Sequence, residues 1–336
     1  MQPDSVRHFD LLNDWQRGFP LVRAPYAVIA RRVGLPEHRV IEAYRDAQRA
    51  GALSRIGGVF DSRAGGAGVL AAIAVPPARL EAVARIVSAH PGVNHNYERE
   101  HALNLWFVMT GADAAGVETD LAALEAAVGL AVVRLPMLKV YRIDLGFDLR
   151  GRRAEAAAVR LGATAPPPPL RPDELELAAA VEAGLPLQPL PFDAWALATG
   201  HPTAEVLKTL QRWLASGVLR RFGTVVRHHE FGVAANAMTV FDLADDAVDA
   251  AGRALAAEPG LTLVYRRARA PDWPYNLYAM VHGRDRASVT DVLARVIARH
   301  HLHGVPHAVL FSRQRFKQTG ARRFRAAVAE ADHVLA

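Results

Sequence analysis

Two matching stretches of the sequence carry side chains that could do chemistry. The first spans residues 94–107 and reads NHNYEREHALNLWF, and the second spans residues 265–278 and reads YRRARAPDWPYNLY. Arginine presents a fixed fork of hydrogen-bond donors that matches a carboxylate, and aromatic rings between arginines can cover a flat apolar ligand. The combination suits a planar molecule that carries several carboxylates.

Histidine is the other versatile residue of these stretches. The chain has no cysteine, which excludes disulfides, thiolate nucleophiles, and cysteine-ligated zinc or iron–sulfur sites. Imidazole can both ligate iron and titrate near neutral pH. His95 alternates with Asn94 and Asn96, so we expect His95 and Tyr97 to share one face of a strand, with His101 in the loop that follows.

Charged residues elsewhere in the second half extend this set. For each of them the alternative is an ordinary solvated surface group, although the doublets at 228–229 and 266–267 are harder to explain in that way. The further candidates are Arg221, Arg227, His228, His229, His307, Arg313, Arg315 and Lys317.

Composition and missing motifs exclude several classes of protein. The 336 residues are 51% hydrophobic and include no apolar run near the roughly 18 residues that a membrane helix needs. Residues 1–10 lack the features of a secretory signal, so we expect a cytoplasmic protein with no membrane partner. The net charge of +6 suits nucleic acid and a polyanionic small molecule equally. The absence of GxGxxG, P-loop, HExxH and GxSxG motifs argues against dinucleotide, nucleotide, zincin and serine-hydrolase sites.

The elements that must position these residues come in two copies. GFPL at 18–21 recurs as GLPL at 184–187, and AGALSR at 50–55 recurs as SGVLRR at 216–221, both at a separation of 184 − 18 = 166 residues. Between the copies lie four successive prolines, which favour a stiff extended spacer. The sequence therefore predicts two tandem repeats.

Each repeat divides into two predicted units. Two short helices joined by a Gly-x-Pro turn, followed by a β-like run, are typical of a winged helix-turn-helix, as at 26–33, 37–50 and 53–60. The remainder of each repeat has the order βαββαβ of a ferredoxin-like unit, an antiparallel sheet with helices on one face. The fold class is thus α+β. The predicted boundaries are 1–62 (helix-turn-helix), 63–150 (ferredoxin-like), 151–172 (proline-rich linker), 173–226 (helix-turn-helix) and 227–325 (ferredoxin-like).

This arrangement resembles the Lrp/AsnC family of transcription regulators over both halves. Within that group, residues 94–107 resemble the D-type subunit of siroheme decarboxylases. The motifs YRR at 265–267, PDWPYNL at 271–277, HGR at 282–284 and the tail 309–318 resemble the L-type subunit. The chain thus resembles a fused siroheme decarboxylase along nearly its whole length, except for the proline linker and the extreme termini.

The resemblance implies an enzyme, a carboxy-lyase of haem d1 biosynthesis. Such an enzyme removes carbon dioxide from two acetate side chains of siroheme and yields 12,18-didecarboxysiroheme. No added cofactor is expected, because the iron belongs to the substrate. His95 and His101, followed by His228, would be proton donors, and His95 or His101 could be an axial ligand of the substrate iron. The residues that would bind the substrate are Tyr97, Arg99, Trp106, Arg221, Arg227, Arg266, Arg267, Trp273, Tyr275, His282, Arg313 and Lys317.

Differences between the halves predict that only one of two related pockets is active. Asp61 and Ser62 stand where the second half has Arg227 and His228, and Glu98 stands where it has Arg266. The sequence leaves open which half supplies which wall of that pocket. The expected partners are siroheme, other enzymes of haem d1 biosynthesis and a further copy of the chain.

A transcription regulator and a non-catalytic haem sensor are the alternatives. A DNA-recognition helix should present basic and amide side chains to bases and phosphates. The candidate helices at 37–49 and 203–214 mix acidic with basic residues, and two divergent fused copies fit poorly with a symmetric operator. Direct DNA binding is therefore not expected. A sensor would bind the tetrapyrrole without changing its mass.

Overall fold

The computed structural model describes residues 10–61, 63–143, 167–226 and 235–324. These residues form a helical layer, built from the two helix-turn-helix units, and a β-barrel that carries helices on its outside. In the first half the elements are Pro25–Val33 (α1), Glu37–Arg49 (α2), Leu53–Phe60 (β1), Ala67–Ile73 (β2), Leu80–Ala89 (α3), Val93–Arg99 (β3), Leu105–Gly111 (β4), Ala114–Val128 (α4) and Val132–Ile143 (β5). In the second half they are Leu175–Ala183 (α5), Pro191–Thr199 (α6), Thr203–Ala215 (α7), Leu219–Val226 (β6), Ala235–Phe241 (β7), Val248–Ala256 (α8), Leu261–Arg267 (β8), Leu277–Gly283 (β9), Arg286–Arg299 (α9) and His307–Gln318 (β10).

The turn within each helix-turn-helix unit follows from a glycine. Gly34 ends α1 with φ of 68°, and Gly200 ends α6 with φ of 67°, in the left-handed region that glycine enters without a Cβ clash. Pro36 and Pro202 then directly precede α2 and α7. The Gly-x-Pro pattern thus sets the same bend in both halves.

The two helix-turn-helix units form one body. Strand β1 pairs antiparallel with β6 of the other half, with Gly57 opposite Gly223, so each predicted wing strand completes a sheet with its counterpart. A Cβ on Gly223 would lie 2.1 Å from the carbonyl oxygen of Trp15, so only glycine fits where the backbone at Trp15 passes over β6. A single hydrophobic core, which includes Tyr26 and Trp195, spans both units.

The eight remaining strands close into one antiparallel barrel in the order β10-β3-β4-β2-β5-β8-β9-β7. The expectation of a separate sheet in each half is thereby corrected, because β3 pairs with β10 and β5 pairs with β8 across the halves. An open four-stranded sheet would leave two edges unpaired, and closure of the barrel pairs both. We call β3–β10 the first seam and β5–β8 the second seam.

Three apolar clusters stabilise the barrel. Two lie outside it, one under α3 and α4 and one under α8 and α9. The third lies inside it and includes the aromatic side chains Trp106, Trp273 and Tyr278. Among the described helices, none is long and apolar enough to cross a membrane.

Candidate active site

Strand β3 presents three of the predicted site residues on one face. The Asn96 side chain faces outward, where its Nδ2 donates to the carbonyl oxygen of Ala84 in α3 at 3.1 Å. His95, Tyr97 and Arg99 therefore face the inside of the barrel. The rings of His95 and Tyr97 lie nearly parallel, with 6.3 Å between their centroids, so they share a face as the sequence predicts.

Arg99 is a buried cation with no carboxylate partner among the described residues. Its Nη1 donates to the carbonyl oxygen of Leu310 at 3.0 Å and lies 3.5 Å from Oδ1 of Asn236. The guanidinium carbon is 5.6 Å from the centroid of the Tyr97 ring. Burial lowers the pKa of Arg99 to about 10, which leaves the group charged at neutral pH. Burying a charge without an opposite charge is costly, so this position favours an anion.

Arg267 repeats this arrangement at the second seam. Its Nη1 donates to the carbonyl oxygen of Leu135 at 2.9 Å, and its guanidinium carbon lies 5.4 Å from the Tyr265 ring and 5.7 Å from the Tyr278 ring. Within the described ranges no carboxylate pairs with Arg267, and its buried Nε has no hydrogen-bond partner. Burial lowers the pKa of this guanidinium also.

His95 is held as a neutral imidazole. Burial lowers its pKa to about 4, and its Nδ1 lies 2.6 Å from Oδ1 of Asn94. A neutral imidazole can ligate iron or accept a proton. It becomes an effective acid only when negative charge is brought close to it and raises its pKa.

His101 lies beyond the end of β3, in an aromatic cluster that joins the two halves. Its Nδ1 accepts from the amide of Leu103 at 3.0 Å, and its ring meets that of Trp273 edge to face at 5.2 Å. The Trp273 ring in turn packs against the rings of Trp106 and Tyr275, with 5.1 Å and 4.8 Å between the ring centroids. Burial lowers the pKa of His101, although the residue remains accessible to solvent.

The structure does not bring His95 and His101 to one point. His95 lies four residues before the end of β3, roughly 13 Å along an extended strand, and His101 lies past that end. A cleft of about 530 Å³ opens beside His101 and Arg99 and is also lined by Glu98, Glu100 and Arg313. Arg313 is exposed and lies 3.6 Å from Glu98 and 3.7 Å from Glu100, so its charge is already paired where it borders this cleft.

Three predicted substrate residues lie away from the inside of the barrel. Arg266 faces outward, 3.2 Å from Asp249 on α8, because neighbouring residues of a strand point to opposite faces. The Lys317 ammonium donates to the carbonyl oxygen of Ser88 at 2.7 Å, at the C-terminus of α3, where carbonyl groups favour a cation. Arg221 is buried in the helical layer, bonded to backbone carbonyl oxygens.

The remaining predicted residues lie at a strand end or outside the described part of the chain. His282 lies at the end of β9, with its Nδ1 2.8 Å from the hydroxyl of Thr262. Arg227, His228 and His229 lie outside the described residues, as does most of the predicted linker.

Sequence reasoning missed two residues that contact the Arg99 site. Ser312 donates through Oγ to Oδ1 of Asn236 at 2.7 Å, and that oxygen faces Arg99. Both belong to the second half, whereas Arg99 belongs to the first. Ser312 lies within the 309–318 motif, but no local pattern shows that it and Asn236 meet Arg99, because their proximity depends on the pairing of β3 with β10.

Family models define the class of protein to which this fold and site belong. An AsnC-like ligand binding domain matches residues 63–142 and 230–317, so the repeated domain pattern of the mixed α/β fold is confirmed. A siroheme decarboxylase NirDL-like HTH domain matches residues 10–53 and 174–220.

Individual relatives narrow this class to one family. The siroheme decarboxylase NirDL subunit of Paracoccus pantotrophus is 42% identical over 313 residues, which cover 93% of this chain and 95% of the relative. The crystal structure of a siroheme decarboxylase NirDL matches with a TM-score of 0.67 at 27% identity, over 95% of this chain and 94% of that one. A second, with an iron-uroporphyrin III analogue bound, has the same TM-score of 0.67 at 26% identity over 96% and 95%. The chain belongs to the siroheme decarboxylase NirDL family, as the sequence motifs predict.

Proposed function

We propose that this chain removes carbon dioxide from two acetate side chains of siroheme to give 12,18-didecarboxysiroheme in haem d1 biosynthesis. The observation that carries the proposal is the buried guanidinium of Arg99, which lacks a carboxylate partner among the described residues and faces the inside of the barrel. Arg267 repeats it from the other half. A ligand with several carboxylates supplies the charge that both sites lack.

The iron-uroporphyrin analogue bound to a solved NirDL supports this choice of ligand, since it is a tetrapyrrole with iron at its centre. The rings of Tyr97 and Tyr275 would cover the macrocycle, because flat aromatic groups stack on flat ligands, and the buried rings of Trp273 and Trp106 would support Tyr275 from behind. Arg99 would fix one carboxylate and thereby orient the ring. Arg313 borders the cleft and pairs with Glu98 and Glu100, so it would bind a substrate carboxylate in exchange for one of these partners.

The chemistry requires one proton for each carbon dioxide released. Breaking the bond between the methylene carbon and the carboxylate leaves an electron pair on that carbon, and the conjugated macrocycle of the substrate delocalises it. A proton then adds to the methylene carbon, so that the acetate becomes a methyl group. The apolar interior would exclude water from the reacting carboxylate and so destabilise it relative to the transition state, in which the negative charge is spread over the macrocycle.

His95 and His101 are the proposed proton donors, and either could be an axial ligand of the substrate iron. His95 is neutral in the free protein, so substrate carboxylates must raise its pKa before it can donate. His101 is closer to solvent, from which a spent imidazole regains its proton. No added organic cofactor is needed in this scheme, because the substrate itself stabilises the electron pair.

Two further points of organisation are proposed. Each half of the barrel is a ferredoxin-like unit, since its strands lie in the order second-third-first-fourth along the sheet, β3-β4-β2-β5 and β8-β9-β7-β10. The partners are siroheme and other enzymes of haem d1 biosynthesis, and the chain forms a homo-oligomer. The latter is tested by light scattering of the purified protein.

The function is tested by anaerobic incubation of the purified protein with siroheme, followed by mass spectrometry of the extracted tetrapyrrole. We expect the loss of two carbon dioxide units. His95→Ala and His101→Ala should each retain the fold and lose at least one decarboxylation, and full activity in both variants would show that neither histidine is the required proton donor. Binding of siroheme without mass loss would instead indicate a haem sensor. The absence of both binding and mass loss would favour a transcription regulator.

A further inference from the structure

The two seams of the barrel are equivalent in register but differ in chemistry. At the first seam Arg315 lies opposite Tyr97, and Gln318 lies opposite His95. At the second seam, Tyr265 corresponds to Tyr97 and Leu263 corresponds to His95. Directly opposed residues of an antiparallel pair point to the same side of the sheet, so these pairs can be compared position by position.

The comparison separates what the seams share from what only one has. Both keep a tyrosine with an arginine stacked on it. Opposite Tyr265 and Leu263, however, the second seam has Val140 and Ile143. Three polar groups of the first seam, an imidazole, a guanidinium and a carboxamide, are thus replaced by aliphatic side chains at the second.

The charge of Arg315 is available to a ligand. Its side chain is exposed, its Nη1 donates to Oε1 of Gln318 at 2.9 Å, and no carboxylate among the described residues pairs with it. Burial raises the pKa of Tyr97, and the positive charges of Arg99 and Arg315 oppose that rise. The guanidinium of Arg315 therefore lies on the same side of the sheet as the Tyr97 ring and close enough to interact with it.

We propose that Arg315 and Gln318 of the second half bind a carboxylate side chain of the substrate beside His95, so that the first seam forms the productive site. This inference rests on the proposed function, and it adds two residues and a location to it. The site is composite, since β3 comes from the first half and β10 from the second. The second seam has Leu263 in place of the imidazole, so it can hold a carboxylate on Arg267 but has no proton donor at that position.

The experiment measures binding separately from turnover. Iron uroporphyrin III, a polycarboxylate probe, is titrated into the full chain and followed by its Soret absorption, for the wild type, Arg315→Val, Gln318→Ile and the double variant. These substitutions give the first seam the types of side chain found at the second. The matched controls are Val140→Ala and Ile143→Val at equivalent positions, and circular dichroism checks that each variant is folded.

We expect Arg315→Val to raise Kd about tenfold or more, because a hydrogen bond to a charged group is lost, and Gln318→Ile to raise it less. Arg315→Lys should restore part of the affinity, and the controls should stay within about twofold of wild type. With siroheme, the kcat/KM of Arg315→Val should fall mainly through KM. Because the Arg315 side chain is exposed, its replacement should leave the fold intact, and circular dichroism separates a loss of binding from a loss of structure.

Other outcomes overturn the inference. Equal affinity of wild type and Arg315→Val removes Arg315 from the site, and an equal loss in the Val140→Ala control shows that the seams do not differ. If binding of the probe depends on Arg315 but the wild type leaves the mass of siroheme unchanged, the proposed activity alone is contradicted. If Arg315→Val decarboxylates siroheme as fast as the wild type does, the seam inference alone is contradicted.

Discussion

The guanidinium groups of Arg99 and Arg267 occupy equivalent positions in the two halves, and each donates to the backbone carbonyl oxygen of a leucine in the barrel interior. The partners are Leu310, at 3.0 Å from Arg99, and Leu135, at 2.9 Å from Arg267. Neither arginine has a carboxylate partner in the described part of the chain. The duplicated fold thus places two cations inside one barrel, which is a suitable arrangement for a ligand with carboxylates on several sides.

These cations should be unfavourable in the absence of ligand. Replacing Arg99 with methionine, which has a similar length and no charge, is expected to leave the free energy of unfolding unchanged or to raise it by about 1 kcal/mol or more. The same change should weaken binding of iron uroporphyrin about tenfold or more. Urea denaturation and a Soret titration measure the two quantities.

Arg267→Met is the matched comparison, since Arg267 also donates to a leucine carbonyl oxygen and also lies on a tyrosine ring. It should also relieve the cost of a buried charge, and it should weaken binding less if the first seam is the productive site. If Arg99→Met destabilises the free protein by several kcal/mol, the guanidinium is structural and the argument for a ligand carboxylate fails.

The pH dependence of stability should report on His95. Burial lowers its folded-state pKa to about 4, below the value of about 6.5 expected in an unfolded chain. The unfolded state therefore binds more protons between these values, so the contribution of His95 to stability is complete above about pH 6.5 and is lost as pH falls towards 4. His95→Gln should flatten the stability profile in this window, with the slope reduced by up to about 1.4 kcal/mol per pH unit.

The control for this measurement is His38→Gln, which removes an exposed histidine of α2. Its profile between pH 4 and 6.5 should follow that of the wild type. A profile of His95→Gln that also follows the wild type would show that His95 titrates normally and is solvated.

Lys317 and Arg142 are expected to stabilise equivalent helix ends. Lys317 donates to Ser88 and His90 carbonyl oxygens at the end of α3, and Arg142 donates to the Ala256 and Glu258 carbonyl oxygens at the end of α8. Lys317→Met and Arg142→Met should each lower the free energy of unfolding by about 1 kcal/mol, because cations at helix C-termini interact with unpaired carbonyl groups. Thermal and urea denaturation test this. An unchanged stability of Lys317→Met would show that Lys317 is not needed at the end of α3 and would favour its predicted role in substrate binding.

Sequence-specific DNA binding is not expected from the helical layer. On α2, Arg39 pairs with Glu42 at 3.1 Å and Arg49 pairs with Asp46. The Arg45 side chain donates to the carbonyl oxygen of Leu187 at 2.7 Å, across the halves. A mobility-shift assay at physiological salt should give affinities no tighter than about 1 µM, the range of non-specific binding. Nanomolar, sequence-dependent binding would contradict this prediction.

Local patterns were sufficient for the order of the elements and for the family. Gly34 and Pro36 mark the turn between α1 and α2, and the same pattern recurs at 200–202. The alternation of His95 with Asn96 predicts that His95 and Tyr97 share a face, and the structure confirms it. These features depend on residues close together in the chain, so the sequence alone determines them.

The seams were decided by tertiary structure. Arg99 and Leu310 are 211 residues apart in sequence, and they meet only because the open edges of two sheets pair and close the barrel. Arg266 faces outward to Asp249 on α8 and Arg267 faces inward, because adjacent residues of a strand point to opposite faces, and barrel closure makes the inward face the enclosed one. Which residue faces the ligand depends on strand register and on pairing between distant strands, and neither is encoded in the spacing of neighbouring residues.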